Sequence, residues 1–98
     1  PAANKDLALL VKRGVLAETV RRDLFKIAKS TTDGSFVIES VEIFDVYDGE
    51  GLPADTKSLA FTISFRAPDR TLSEKQLGTA FDTIQKLVAE ETDYRVRG

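Results

Sequence analysis

The sequence predicts an α+β fold built in the order β-α-β-β-α-β, with a four-stranded antiparallel sheet carrying two helices on one face. Three observations predict it. Residues Lys57–Arg66 alternate strictly, with Leu59, Phe61, Ile63 and Phe65 set against Ser58, Ala60, Thr62, Ser64 and Arg66. Such alternation is the pattern of a strand buried on one face only. Two segments, 17–30 and 74–91, instead repeat their apolar residues at helical spacing. Turn clusters such as Arg13-Gly14, Thr31-Thr32-Asp33-Gly34 and Ala67-Pro68-Asp69-Arg70 punctuate the elements.

Each element follows from local pattern. Lys5–Lys12 reads as the first strand, with Leu7, Leu9 and Val11 on one side and Asp6, Ala8 and Leu10 on the other. In the first helix Val20, Leu24, Ile27 and Ala28 form the apolar stripe, and Lys26 and Lys29 suit the negative end of its dipole. The second strand region spans Phe36–Tyr47, long enough to require a kink or bulge near Glu39-Ser40. Strict alternation through its second half places Phe44 and Val46 on one face and Val41, Ile43, Asp45 and Tyr47 on the other. Residues 48–56 form a loop leading into the third strand, Lys57–Arg66. Ser73-Glu74-Lys75-Gln76 is a capping-box signature opening the second helix, whose stripe is Leu77, Ala80, Phe81, Ile84, Leu87 and Val88. Residues Asp93–Arg97 close the chain as a short alternating strand. This order is that of ferredoxin-like folds.

Composition sets bounds on function. The chain has 98 residues, 42% hydrophobic and 31% charged, which is one ordinary globular domain. It contains no cysteine and no histidine, which removes thiol nucleophiles, the commonest zinc ligands and the usual general base. No catalytic residue, metal site or cofactor is therefore expected within it. No apolar run approaches the ~20 residues of a membrane span, so no membrane association is expected. With no methionine, the chain is expected to be a piece of a longer protein, residues 1–98 forming a single domain of cytoplasmic origin. The 14 basic and 16 acidic residues are interspersed, for a net charge of −2. A domain gripping nucleic acid through phosphates alone is normally strongly basic, so any such binding is expected to depend on neighbouring parts of the protein.

The side of the sheet away from the helices is where a ligand is expected. By parity it carries Ala8, Leu10, Asp45, Tyr47, Ser58, Ala60, Thr62 and Ser64, while Leu7, Leu9, Phe44, Val46, Leu59, Phe61, Ile63 and Phe65 face the helices. Tyr47 then stands beside Ser58 as one aromatic platform over a floor of small residues. A nucleotide base stacked there gains roughly 1–3 kcal/mol, and Asp45 and Ser58 offer base-edge hydrogen-bonding groups. Lys57, Arg66, Arg95 and Arg97 are candidate phosphate contacts. A general RNA-recognition sheet needs aromatics on its central strands, and the open positions here are small, so binding is expected to concentrate at Tyr47. The same fold also serves as a protein-interaction or small-ligand regulatory module. Gly49-Glu50-Gly51 is no phosphate cradle, because proline and not a helix follows it.

Lys5-Asp6-Leu7-Ala8, Phe44-Asp45-Val46-Tyr47 with Gly49, Gly51-Leu52-Pro53, Lys57-Ser58-Leu59-Ala60-Phe61, Arg70-Thr71-Leu72 and Arg97-Gly98 occur in the order and spacing of one family. The chain resembles, over its whole length, the ferredoxin-fold anticodon-binding domain that ends the bacterial phenylalanyl-tRNA synthetase beta subunit. That resemblance implies a parent class II synthetase using ATP and Mg2+, catalysis in an alpha subunit, and an alpha2beta2 heterotetramer. It implies that this domain binds the anticodon stem-loop of tRNA(Phe), with Tyr47 stacking on a base and Asp45, Ser58 and Ala8 completing the site. Three positions depart from the family pattern: Lys5 replaces an arginine, Asp55 a loop glycine, and Thr92-Asp93-Tyr94 a Gly-Ala step.

Overall fold

The computed structural model describes residues 2–97; Pro1 and Gly98, the latter part of the Arg97-Gly98 terminus counted in the resemblance, lie outside the described residues. The elements are β1 (Ala2–Lys12), α1 (Ala17–Ser30), β2 (Val37–Tyr47), β3 (Thr56–Arg66), α2 (Glu74–Glu91) and β4 (Arg95–Val96). The strands form one antiparallel sheet in the order β2-β3-β1-β4, so the first and third strands are central, as the ferredoxin-like reading requires.

Register explains the core. Leu7 opposes Phe61 and Leu9 opposes Leu59, and all four are buried beneath the helices. Val20, Leu24, Ile27 and Ala28 of α1 and Leu77, Ala80, Ile84 and Val88 of α2 complete that layer. The Ser73 hydroxyl accepts from the Gln76 backbone N–H, and the Gln76 side chain accepts from the Ser73 N–H, which makes the expected capping box. Leu16, at the N-cap position of α1, provides no side-chain cap; Glu18 in the first turn pairs with Arg21 at 2.7 Å.

Strand β1 begins three residues earlier than its alternation suggests, because β3 is long enough to pair Ala2, Ala3 and Asn4 with Arg66, Phe65 and Ser64. The last strand is shorter than expected, since it pairs only with Leu9 and Leu10. In β2 the expected irregularity falls between Ile38 and Ser40, and a second one falls between Ile43 and Asp45. This second bulge corrects the face assignment. Val41 and Ile43 oppose Ile63 and Phe61 on the helix side, where strict alternation places them on the open side. Phe44 is the extra residue and stands 58% exposed instead of facing the helices. A bulge inserts one residue without a partner and so resets alternation beyond it. Val46, Asp45 and Tyr47 accordingly keep their expected faces, opposite Leu59, Ala60 and Ser58.

Candidate nucleic-acid interface

Two cross-strand rows build the open face at one end of the sheet. Tyr47 (β2), Ser58 (β3), Leu10 (β1) and Arg95 (β4) form the first. Asp45, Ala60 and Ala8 form the second, and the Arg97 N–H extends it by donating to the Ala8 carbonyl at 2.8 Å. The sheet thus brings together Ala8, Asp45, Tyr47, Ser58, Arg95 and Arg97 from all four strands or their ends.

The two other candidate cations stand apart. Lys57 opposes Val11, a core position, and therefore lies on the helix side of the sheet. Arg66 is eight residues from Ser58 along β3, about 26 Å at strand rise, and its guanidinium is held by the Glu39 carboxylate. That Arg66 hydrogen bond holds the Glu39 carboxyl below the usual carboxylate range.

The Tyr47 ring is fixed by its own loop. Its hydroxyl donates to the Glu50 carbonyl at 2.7 Å. Gly49 lies so close that an added Cβ would fall 2.7 Å from the Tyr47 Oη, 2.8 Å from Cζ and 2.9 Å from Cε1. The loop is anchored in turn to the end of β1. The Arg13 N–H donates to the Asp55 carbonyl at 2.9 Å, and the Arg13 guanidinium reaches the Asp48 carbonyl at 3.4 Å. Asp55 adopts a φ of 59°, a left-handed conformation that suits glycine and that aspartate tolerates better than most residues.

Ser58 has the face that alternation gives it but not the exposure. It lies on the open side yet is only 4% exposed. Arg97 accounts for part of that burial: its Nη1 donates to the Ser58 Oγ at 3.4 Å, and its Cζ lies 5.7 Å from the Tyr47 ring centroid. Tyr47 remains 40% exposed. The arrangement is a shallow platform, aromatic and cationic on top and floored by Ala8 and Ala60, with the Asp45 carboxylate at its side. It offers an aromatic ring for stacking and hydrogen-bonding groups beside it.

Residues 1–97 match the family model described as the ferredoxin-fold anticodon binding domain. The chain belongs to this family. Phenylalanine–tRNA ligase beta subunits are among the relatives of this anticodon-binding domain. That of Corynebacterium efficiens is 40% identical over 98 residues, covering 100% of this chain and 11% of the relative. That of Thermosynechococcus vestitus is 37% identical over 91 residues, covering 93% and 11%. The Cutibacterium acnes subunit is 42% identical over 94 residues, covering 94% and 10%. The domain thus spans about a tenth of the length of these curated relatives. A solved chain from Thermococcus onnurineus aligns over 91% of both chains at 13% identity and a TM-score of 0.43, too low to bear on function.

Two residues expected to face the helices are exposed: Val46, at 55%, keeps its side of the sheet, and Phe44, at 58%, does not. Phe44 lines a cavity of about 220 Å³ on the open face with Asn4, Ser40, Glu42, Ile43, Thr62 and Ser64. The length of β2 is a signal for one bulge, but no local signal marks a second at Phe44. Among the described residues no group of three or more His, Cys, Asp or Glu side chains is placed to hold a metal, and no helix is long and apolar enough to cross a membrane.

Proposed function

We propose that this domain is the anticodon-recognition module of a phenylalanine–tRNA ligase beta subunit and confers tRNA selectivity on aminoacylation. The observation that carries the reading is Tyr47, half-exposed on the face away from the helices, opposite Ser58 and next to the row of Asp45, Ala60 and Ala8, in a chain whose residues 1–97 match the family. In this reading an anticodon base stacks on the Tyr47 ring. Asp45 accepts from a base-edge donor, and Ser58 reads a neighbouring group once it is uncovered. Ala8 leaves room for close approach, and Arg95 and Arg97 neutralise adjacent phosphates.

ATP, Mg2+ and the chemical step belong to the rest of the parent enzyme, with an alpha subunit as partner in an alpha2beta2 assembly in the cytoplasm. The net charge of −2 supports a division of labour in which other parts of that enzyme supply most of the phosphate contacts. A Tyr47→Ala change in the full ligase is expected to lower tRNA charging while amino-acid activation, followed by pyrophosphate exchange, stays intact. Unchanged charging would overturn the reading.

A second reading has its own observation. Phe44 and Val46 stand 58% and 55% exposed near the end of β2, which is an edge strand. Exposed large apolar side chains on a sheet edge suit contact with another protein surface. If the domain serves protein contact instead, Tyr47→Ala leaves charging unchanged and a Phe44→Ser, Val46→Ser variant disrupts assembly of the ligase.

A further inference from the structure

We propose that Arg97 caps the base-binding platform in the free domain and competes with the ligand base for the Tyr47 ring. This rests on the reading of Tyr47 as a stacking platform. Three observations carry it. The Arg97 Cζ lies 5.7 Å from the Tyr47 ring centroid, within the range of a cation–π contact. The same guanidinium donates to the Ser58 Oγ at 3.4 Å, and that serine is 4% exposed although its strand face is open. The loop also lies against the hydroxyl end of the ring, where one carbon added at Gly49 would fall 2.7 Å from Oη. A base stacking on this ring therefore meets the Arg97 guanidinium already lying near it.

A planar guanidinium on an aromatic ring imitates the shape of a stacked base, and its N–H groups satisfy the serine hydroxyl in the base's place. The backbone of Arg97 is tied to β1 through the Ala8 carbonyl at 2.8 Å, so exchange requires only that the side chain swing aside. The displaced cation stays tethered within reach of the phosphate that follows the base. Capping also sets a threshold: a ligand must stack and hydrogen-bond better than the guanidinium to uncover Ser58. The held contact is weak at an exposed site, so removing it is worth about a two- to five-fold change in affinity.

The test uses the 98-residue chain and an RNA hairpin carrying the tRNA(Phe) anticodon loop, titrated at about 0.5 M salt, where the Debye length falls to a few ångströms and phosphate contacts contribute little. In the free protein, the Arg97 side-chain proton signals are expected to show an upfield ring-current shift that disappears in Tyr47→Ala and on adding RNA. Arg97→Ala is expected to bind the hairpin about two- to five-fold more tightly than the parent. Absence of the ring-current shift overturns the cap whatever the RNA does. If the parent binds and Arg97→Ala binds equally or more weakly at that salt, competition is overturned while the stacking platform stands. If neither protein binds and full-ligase charging is also insensitive to Tyr47→Ala, the functional reading fails and takes this inference with it.

Discussion

Gly49 and Tyr47 are mutually dependent: the glycine's missing side chain is the space in which the tyrosine ring rests, 2.7 Å separating an ideal Cβ from the Oη. The backbone of Gly49 is not in the left-handed region, unlike Gly34 and Gly51, so the requirement is steric and not conformational. A Gly49→Ala change is expected to push the ring off its position and break the hydroxyl bond to the Glu50 carbonyl. RNA-hairpin binding should weaken by about an order of magnitude, on the scale of one lost stacking contact. Circular dichroism should remain that of the parent. Parent-like binding would show that the loop yields and that the glycine does not position the ring.

The bulge at Phe44 makes a contrast between two phenylalanines measurable. Phe61 is 0% exposed in the centre of β3, and Phe44 is mostly in solvent. Phe61→Ala is expected to cost about 3–5 kcal/mol, and the exposed Phe44→Ala within about 0.5 kcal/mol of neutral, in urea unfolding. Similar costs for the two would mean that β2 alternates without the second bulge.

The capping box at the start of α2 sets a third expectation. Ser73→Ala removes the acceptor for the Gln76 N–H and should destabilise the domain by about 1 kcal/mol. Ser73→Asp should restore most of that loss, because a carboxylate both caps the helix and suits its positive end. Failure of the aspartate to rescue would show that tertiary packing, not the cap, holds this end.

Tyr94 gives an alkaline signature. Its hydroxyl donates to Asp23 at 2.6 Å, and burial, then the bond to that carboxylate, push its pKa up from 10.0 to about 12. Between these values the folded chain keeps a proton that the unfolded chain releases. Stability therefore falls as pH rises from about 10 to about 12, and this contribution is intact below pH 10. Tyr94→Phe should flatten that part of the stability-versus-pH curve. An equally steep fall in the variant would assign it to other groups.

Much of this architecture was legible because alternation and helical spacing are local properties. The stripes of α1 and α2, the faces of β1 and β3 and the Ser73–Gln76 cap all rest on residues a few positions apart in the chain. Asp45 and Tyr47 reached the open face despite an error between them and Val41. A bulge reverses parity once, so an alternation that is wrong for Val41 and Ile43 before it is right for Asp45 and Tyr47 beyond it. The assignments of Val41, Ile43 and Phe44 failed for the same reason: a bulge is a property of two paired strands, and β2 alone does not reveal where β3 leaves a residue without a partner.

By itself the sequence determined which side chains share a face of each regular element, because pleat and helix geometry follow from chain chemistry alone. It also placed a single aromatic ring among small and polar neighbours. Only the tertiary structure decided that Gly49 lies against that ring, that Arg97 reaches it from the far edge of the sheet, and that Ser58 is buried. Those contacts join residues up to about fifty positions apart, and their existence depends on strand order and register, which bring distant backbone together and set which side chains can meet.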